Sequence, residues 1–368
     1  MKKLSFLLVG LLPSMMAAQP SGPRPAVPAG LRVWVTGAAA DVVVDQSATG
    51  PAILLMGGGG EVDEAFAERA YPVINGGDIV VIRASGSNGY NDYLFELPLA
   101  AGVPRPNSVE TMLINSRTVA DTAYVEWVLA GAEMIWMAGG DQSDYTEFWR
   151  STKVQAGLQA AYDRGAVIGG TSAGMAVLAD LIYDPGAQGS LTSLEGLSNP
   201  YHPNLVLSAR LLNADVMNHV LTDTHFRNRD RMGRSLAMLA HARQENRLTS
   251  PGRVLCLSEN SSLFIDRNGL GTVDIGSRGD ALYALVETPA TQRTRVVAGQ
   301  PLQFGPVNRY RLVDDQTIDL KTWQTDVAPM VLSVDGGAAT PFTPADPYAD
   351  APTVTPTPTT TSWLIGGQ

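Results

Sequence analysis

The chain contains one serine in a setting that suits nucleophilic catalysis. Gly170-Thr-Ser-Ala-Gly174 has the form G-x-S-x-G and follows an apolar segment, 166–169, that predicts a strand. The residues from 172 to 182 predict a helix, so the serine falls on a strand-to-helix turn that exposes its hydroxyl. The free N–H groups at the start of such a helix suit negative charge developing on a substrate oxygen. We therefore predict that Ser172 is a nucleophile; a glycine-rich turn with a capping hydroxyl is the alternative.

A nucleophilic serine needs a base, and one of the four histidines has unusual neighbours. The four are His202, His219, His225 and His241. Four arginines fall within residues 227–234, directly after His225. Because arginine binds carboxylates bidentately, this concentration indicates an anion site beside that histidine. Helical spacing would place three of the arginines on one side of a helix: Arg227, Arg231 and Arg234. A solvated basic helix is the alternative interpretation.

A third group should orient the histidine, and spacing alone leaves five carboxylates open. They are Asp180, Asp184, Glu195, Asp215 and Asp223. No H-E-x-x-H or similar cluster is present in the sequence, so it predicts neither a metal nor another cofactor.

The elements that must position these residues alternate along the chain. Strand-like segments are predicted at 51–56, 78–83, 108–114, 134–138 and 166–169, and helix-like segments at 62–69, 118–130, 145–162 and 172–182. Nearly all-apolar strands that alternate with helices indicate an α/β fold, with a mainly parallel sheet covered by helices on both faces. Such folds bind ligands at the carboxyl ends of their strands, where glycine-rich turns fall at 57–60, 139–140 and 169–170. We expect the site there.

Both ends of the chain have compositions that differ from the middle. Residues 1–18 combine two lysines, a short apolar run and an Ala-Ala pair, which predicts a signal peptide and a secreted or periplasmic protein. The apolar run is too short to span a bilayer, so no membrane anchor is predicted. Residues 336–368 are rich in Thr and Pro and predict a disordered tail. The remaining 19–335 predict one α/β domain, in which 282–332 either extend the main sheet or form a β-rich extension.

Composition excludes several classes of protein. The 26 Lys and Arg against 36 Asp and Glu give a net charge of −10, which argues against a nucleic-acid binder. The single cysteine, Cys256, excludes an internal disulfide framework and a cysteine-based zinc cluster. Composition does not set the oligomeric state, and a homodimer stays open.

Three blocks of the sequence, in this order, resemble the cyanophycinase branch of the serine peptidases, which includes dipeptidase E. They are Gly139-Gly-Asp-Gln142, Gly170-Thr-Ser-Ala-Gly174 and the block from Asp223 to Arg234. The similarity runs from about residue 50 to about residue 285. Within this range, Glu259-Asn-Ser-Ser-Leu263 resembles a further family segment. The resemblance implies a fold like that of class I glutamine amidotransferases, with serine in place of their cysteine nucleophile, and a C-terminal β-rich extension.

The resemblance also implies roles for individual residues. Ser172 becomes the nucleophile and His225 the general base, while the N–H groups of Gly140 and Ala173 form the oxyanion hole. Further residues fall on family positions that line or support the substrate site: Gln142, Asp223, Arg229, Arg231 and Arg234. The resemblance places the family's triad acid, a glutamate, between the serine and the histidine. Glu195 is the only glutamate in that interval, so we predict it as the acid.

The resemblance implies a serine exopeptidase or isopeptidase that hydrolyses aspartyl amide bonds such as β-Asp-Arg, and the signal-like residues 1–18 add the expectation that it is exported. The substrate would be a peptide, an aspartyl dipeptide or a cyanophycin-like polymer. Cyanophycinase has glutamine where this chain has Thr224, and the stretch between the serine and the histidine is longer here than in the compact members of the family. An α/β-hydrolase-type esterase is one alternative, although its histidine usually comes later than 53 residues after the serine. An exported binding protein of the same fold, without turnover, is the other.

Overall fold

The computed structural model describes residue 20 and residues 22–38 and 40–351. The predicted signal peptide, 1–18, and the Thr/Pro-rich residues from 352 onward lie outside the described residues. The strands are β1 (Arg32–Gly37), β2 (Ala52–Met56), β3 (Asp78–Arg83), β4 (Ser108–Leu113), β5 (Met134–Met137), β6 (Val167–Thr171), β7 (Leu181–Tyr183), β8 (Leu207–Ala209), β9 (Val220–Asp223), β10 (Arg253–Leu257), β11 (Ser261–Ile265), β12 (Leu270–Ile275), β13 (Leu282–Arg295), β14 (Gln303–Leu312), β15 (Thr317–Asp319), β16 (Met330–Asp335) and β17 (Phe342–Thr343).

Most helices in the described residues are short, with fewer than ten residues. They are α1 (Tyr71–Ile74), α2 (Tyr90–Glu96), α3 (Arg117–Ala120), α4 (Ala123–Ala130), α5 (Gln142–Trp149), α6 (Lys153–Arg164), α7 (Ala173–Ala176), α8 (Ser193–Ser198) and α9 (Met232–Gln244). A π-helical segment, Ala65–Ala70, leads directly into α1, and two 3₁₀ turns occupy Gly186–Gln188 and Asp215–Met217. In the described residues, no helix has the length and apolar character needed to cross a membrane.

The first sheet has nine strands in the order β1-β4-β3-β5-β6-β2-β11-β12-β15. Its five middle strands, β4-β3-β5-β6-β2, run parallel, and they are the five strands predicted from the sequence. The flanking strands pair antiparallel. The chain therefore has the predicted α/β character with large sheets, but the sheets are mixed rather than mainly parallel.

Both faces of the parallel strands are buried, which explains their uninterrupted apolar sequences. On β2, Ile53 and Leu55 belong to one core cluster with residues of α4 and α6. Leu54 and Met56 belong to another, with residues of the π-helical segment and α1. Alternate side chains of one strand thus supply two cores, because successive residues of a strand point to opposite faces.

The second sheet has eight strands in the order β17-β16-β14-β13-β10-β9-β7-β8. Most of the segment 282–332 enters this sheet, because β13 pairs antiparallel with β10 over five residues, whereas β15 joins the first sheet. Residues 336–350 were predicted to belong to a disordered tail, and the structure corrects this: β17 pairs with β16, and Tyr348 packs on the body of the protein. Thr/Pro composition describes local propensity and contains no information on such distant contacts.

Three predicted helices differ from the observed ones. The helix expected over 118–130 is divided into α3 and α4. The helix expected over 172–182 ends after a single turn, because Leu181–Tyr183 leaves to form β7 of the second sheet. The helix expected over 145–162 is two helices, α5 and α6, separated at Arg150 to Thr152. Thr152 caps the second of them, since its hydroxyl accepts a hydrogen bond from the Val154 N–H.

Candidate active site

Ser172 lies on the tight turn between β6 and α7. Its φ of 52° and ψ of −113° fall in a region that non-glycine residues rarely adopt, at a cost on the order of 1–3 kcal/mol. The two glycines of the motif make the turn sterically feasible. A Cβ on Gly170 would lie 2.4 Å from the Gly174 carbonyl carbon, and one on Gly174 would lie 2.0 Å from the Met137 carbonyl oxygen. The G-x-S-x-G pattern therefore forms the strand-turn-helix predicted from it.

His225 follows β9 and meets the serine. Its Nε2 lies 2.8 Å from the Ser172 Oγ, although 53 residues separate the two in the chain. The His225 N–H donates to the Gly57 carbonyl oxygen at 2.7 Å, which fixes the backbone of the histidine against the loop after β2. The structure thus brings together the predicted nucleophile and the predicted base.

Glu259, which follows β10, completes the chain of hydrogen bonds. Its Oε1 lies 2.6 Å from the His225 Nδ1. A carboxylate only accepts hydrogen bonds, so Nδ1 carries the proton and Nε2 is left to accept from the serine hydroxyl. The Glu259 N–H donates in turn to the Asn228 Oδ1 at 2.9 Å. Two consecutive hydrogen bonds therefore connect the acid, the base and the nucleophile, as proton transfer from Ser172 requires.

The prediction that Glu195 orients the histidine is wrong. Glu195 is half-buried in the first turn of α8, where its carboxylate accepts from the N–H and the hydroxyl of Thr192, both at 2.8 Å. Hydrogen bonds from the Thr192 backbone and side chain lower the pKa of Glu195. The residue is one half of a capping box, a structural role that leaves it away from His225.

Gly58 provides the space that the imidazole occupies. A Cβ at this position would lie 2.4 Å from the His225 Cε1 and 2.5 Å from its Nε2, far inside van der Waals contact. The backbone of Gly58 also has a φ of +96°, in the left-handed region that favours glycine. The glycine-rich turn after β2 thus borders the base directly.

Gly58→Ala is expected to lower kcat/KM by about 10²-fold, because the added methyl must push the imidazole out of hydrogen-bond geometry with Ser172. Gly102→Ala is the matched control: Gly102 has a φ of +82° and nothing within 4 Å of the added Cβ, so it shares the backbone strain without the clash. Both variants are compared by kcat/KM and by thermal unfolding. Equal losses of activity in the two variants would show that strain alone is responsible.

The environment of His225 favours its neutral form. Burial lowers the pKa of His225, and the positive charges of Arg229 and Arg231 act in the same direction. The hydrogen bond to Glu259 opposes them, but the pKa stays below its ordinary value. The imidazole is therefore unprotonated near neutral pH, as a general base must be.

Two backbone amides next to Ser172 have no acceptor among the described residues. They are the N–H of Ala173, at the start of α7, and that of Gly140, in the turn after β5. The Gly139-Gly140 turn lies beside the serine, since a Cβ on Gly139 would be 3.7 Å from the Ser172 Cβ. The Ser172 N–H, by contrast, donates to the Met56 carbonyl oxygen at 3.1 Å. Both amides are free to donate to a developing oxyanion.

A cavity of about 210 Å³ opens beside the serine and the histidine. All the residues predicted for the substrate site lie in its lining: Gln142, Asp223, Arg229, Arg231 and Arg234. Three guanidinium groups face two carboxylates, those of Asp223 and Asp141, around this space. The wall is positively charged in a chain whose net charge is −10.

Asp223 and Arg234 form a buried ion pair at the base of this cavity. The Arg234 Nε donates to the Asp223 Oδ2 at 2.9 Å, and its Nη2 contacts the Oδ1 of the same carboxylate. Burial by itself would raise the pKa of Asp223, but the charge and hydrogen bonds of Arg234 hold it below its ordinary value. The Ser235 hydroxyl donates to the same carboxylate at 2.6 Å. Arg234 is therefore neutralised by Asp223 and supports the cavity rather than supplying its free charge.

Arg229 and Arg231 supply the positive charge that remains. The Arg231 Nη1 lies 3.6 Å from the Asp223 Oδ1 and donates to the Thr224 carbonyl oxygen at 2.7 Å. Burial lowers the pKa of Arg231 to about 10, which still leaves it protonated at neutral pH. Arg229 is exposed, and the described residues offer its guanidinium no ion-pair partner. A carboxylate in the cavity would satisfy these two arginines.

The helical spacing predicted for the arginine segment is wrong. Residues 225–231 form a loop, and α9 begins only at Met232. Arg227 consequently points away from the cavity and pairs with Asp280 at 2.8 Å. Among the described residues, no group of three or more His, Cys, Asp or Glu side chains is arranged to hold a metal ion.

A serine hydrogen-bonded to a histidine that a carboxylate orients is the arrangement of a serine hydrolase. The model for peptidase family S51 matches residues 108–267, a segment that contains Ser172, His225 and Glu259. Among curated proteins, the chain is 24% identical to the cyanophycinase of Synechococcus elongatus over 217 residues, which is 59% of this chain and 62% of that protein. It is 27% identical to the cyanophycinase of Geminocystis herdmanii (strain PCC 6308) over 205 residues, 55% of this chain and 68% of that protein.

Among solved structures, a peptidase from an acI-B1 Actinobacterium matches with 14% identity and a TM-score of 0.46, covering 74% of this chain and 97% of that one. The chain spans about three-fifths of the length of the first cyanophycinase it matches. The match to the peptidase S51 model and the matches to the curated cyanophycinases confirm the predicted resemblance to the cyanophycinase-like serine peptidases.

Proposed function

We propose that the protein is an exported serine peptidase of cyanophycinase type, acting as an exopeptidase or isopeptidase on aspartyl amide bonds such as β-Asp-Arg. The observation that carries this proposal is the hydrogen-bonded chain Ser172–His225–Glu259 beside an arginine-lined cavity. Export rests on the signal-like composition of residues 1–18, and the substrate class on the resemblance to cyanophycinases. By the same resemblance, we propose a class I glutamine amidotransferase-like arrangement for the five parallel strands.

In the proposed reaction, His225 removes the proton from the Ser172 hydroxyl as the oxygen attacks the amide carbonyl carbon. The negative charge on the carbonyl oxygen is stabilised by the N–H groups of Gly140 and Ala173. The protonated His225, held by Glu259, then gives its proton to the leaving amine, and an acyl-enzyme forms on the serine. Water, activated by the same histidine, hydrolyses this ester and restores the hydroxyl.

The cavity gives the acyl part of the substrate a recognisable chemistry. In a β-aspartyl dipeptide the aspartyl residue keeps a free α-carboxylate, and Arg229 and Arg231 are placed to bind a group of that charge. The buried Asp223–Arg234 pair holds the cavity wall in place and adds no net charge. A substrate with an uncharged acyl residue would leave the buried guanidinium of Arg231 without this partner, at a cost on the order of 1–3 kcal/mol.

The test is hydrolysis of a defined panel by the mature chain, residues 19–368. It contains cyanophycin, β-Asp-Arg, α-Asp-Arg, β-Asp-Leu and the ester p-nitrophenyl acetate. We expect β-aspartyl substrates to be cleaved with the highest kcat/KM. Fast turnover of the ester with no action on any aspartyl peptide would contradict the proposal, and so would cleavage of α-Asp-Arg with a kcat/KM equal to or above that of β-Asp-Arg.

The pH dependence of kcat/KM should follow the protonation of His225. Only the neutral imidazole is active, and burial with the nearby arginines lowers its pKa, so the acid limb is expected to have its midpoint below the ordinary value of 6.5. Arg229→Gln removes one of the charges that disfavour the imidazolium and should raise the midpoint, whereas Arg229→Lys keeps the charge and should not. A midpoint above 6.5 in the unmodified protein would contradict this assignment.

A further inference from the structure

Residues 336–350, which we call the C-terminal strap, run along the edge of the second sheet toward the active site. The strap begins where the Gly336 N–H donates to the Leu302 carbonyl oxygen at 2.7 Å. Its strand β17 pairs with β16, with Thr343 opposite Ser333. The strap is therefore held in a defined path over its first half.

Two arginines of β14 hold the far end of the strap. The Arg309 side chain is fully buried, and its Nη2 donates to the Ala349 carbonyl oxygen. The Arg311 Nη1 forms an ion pair with the Asp350 Oδ1 at 3.1 Å. These contacts hold the two residues that directly follow the residue reaching the active-site loop.

That residue is Tyr348, whose hydroxyl group bridges the two neighbours of Arg231. It donates to the Asp230 Oδ1 at 2.9 Å and accepts from the Met232 N–H at 3.0 Å. Burial raises the pKa of the phenol, so it stays protonated and able to donate. One hydroxyl thus joins the end of the arginine loop to the first residue of α9.

The ring of Tyr348 packs on the residue next to the base. It meets Phe226 edge-to-face, with ring centroids 5.7 Å apart, and Tyr283 in the same manner at 5.6 Å. Phe226 is fully buried and directly follows His225. Edge-to-face pairs of this kind contribute beyond their buried area, so the ring restrains the start of the loop as the hydroxyl restrains its end.

The loop between these two contacts is closed on itself. The Arg229 N–H donates to the His225 carbonyl oxygen at 3.0 Å, and the Arg231 N–H donates to the Phe226 carbonyl oxygen at 3.0 Å. A displacement of Asp230 or Phe226 is therefore transmitted to the backbone of the base and of both cavity arginines.

We propose that Tyr348 is a positioning residue: through Asp230, Met232 and Phe226 it sets the conformation of the loop that carries His225, Arg229 and Arg231. This inference rests on the proposed function, since the loop matters for turnover only when Ser172 and His225 perform it. The strap thereby supports the active-site loop, although it lies more than a hundred residues after His225 in the chain.

Tyr348→Phe tests the hydroxyl, because it keeps the ring and removes both hydrogen bonds. We expect kcat/KM per folded molecule to fall roughly tenfold, and the rate at which a fluorophosphonate labels Ser172 to fall with it, as expected for a loosened catalytic group. Tyr201→Phe is the matched control, since it removes an exposed hydroxyl contact to Glu245 far from the loop. Circular dichroism measures the folded fraction of each protein.

Two further comparisons separate positioning from simple loss of stability. Ending the chain after residue 351 should leave activity unchanged, whereas ending it after residue 340 should reproduce or exceed the loss in Tyr348→Phe. Asp230→Gly suits the φ of 48° at that position and breaks the same Tyr348–Asp230 hydrogen bond as Tyr348→Phe. The double variant should therefore lose little more activity than Tyr348→Phe alone.

Wild-type labelling and kcat/KM per folded molecule in Tyr348→Phe would overturn the inference, even if the protein unfolds at a lower temperature. Slower labelling in Tyr348→Phe would support it even where none of the aspartyl peptides is a substrate. Failure of the inference and failure of the proposed substrate class are thus told apart.

Discussion

Ser172→Ala is expected to reduce kcat by about 10⁵-fold or more while the protein remains folded. The hydroxyl is the atom that would form the acyl-enzyme, and no other described serine lies within hydrogen-bond distance of the His225 Nε2. What turnover remains would come from binding and from the unpaired amides next to the serine, which act without a nucleophile. The measurement is kcat on the best aspartyl substrate of the panel.

Folding of this variant should be close to that of the unmodified chain. The backbone of Ser172 makes its own contacts, because its N–H donates to Met56 and its carbonyl oxygen accepts from Ala176. Alanine preserves both. Ser87→Ala, at an exposed position in the turn after β3, is the control for loss of a serine hydroxyl elsewhere. A Ser172→Ala protein that is folded and still turns over at a comparable rate would exclude the acyl-enzyme mechanism.

The parts of the site that are local in sequence could be predicted from it. Ser172 lies in a five-residue pattern that is recognisable from the sequence, although only Gly170 is required by a neighbour within it, and Gly174 is required by the Met137 carbonyl oxygen on β5. The arginines are close to His225 in the chain, so their concentration pointed to the right histidine. Their geometry could not be predicted, because β9 ends at Asp223 and the following loop replaces the helix that the spacing suggested.

Identifying Glu259 as the carboxylate that orients His225 requires the order of the strands in the sheet, which residue spacing does not give. β10 pairs parallel with β9, with Cys256 opposite Asp223, so the residues after these two strands meet at one edge of the second sheet. The interval between Ser172 and His225 contained a glutamate whose Thr-x-x-Glu spacing is that of a capping box, and this signal favoured a structural role for Glu195. The family-like segment beginning at Glu259 was the only pointer to the correct carboxylate.

The second sheet and the C-terminal strap could not be predicted from the sequence for a related reason. The second sheet combines strands from residues 181 to 343, several of them only two to four residues long. Strands that short show no periodicity in the sequence. They form because neighbouring strands offer unpaired N–H and carbonyl groups. The C-terminal strap is ordered in the same way, by Arg309 and Arg311 rather than by its own composition.

Glu259→Gln is expected to lower kcat/KM by about 10³- to 10⁴-fold, whereas Glu195→Gln should stay within about twofold of the unmodified protein. The Glu259 carboxylate holds the proton of His225 on Nδ1 and stabilises the imidazolium that forms when Ser172 is deprotonated. Glutamine has the same shape but no charge, and its amide nitrogen can donate to Nδ1 and so favour the tautomer that cannot accept from the serine.

The pair of variants distinguishes the two glutamates because each change preserves the size of the side chain. Glutamine can replace glutamate in a capping box, so Glu195→Gln should alter neither the start of α8 nor the free energy of unfolding by more than about 1 kcal/mol. Both proteins are compared by kcat/KM and by urea unfolding. A large loss of activity in Glu195→Gln with none in Glu259→Gln would mean that the observed hydrogen bond to His225 is not the catalytic one. The opposite result would assign the orienting carboxylate to the loop after β10, where the pairing of β9 and β10 brings it to the histidine.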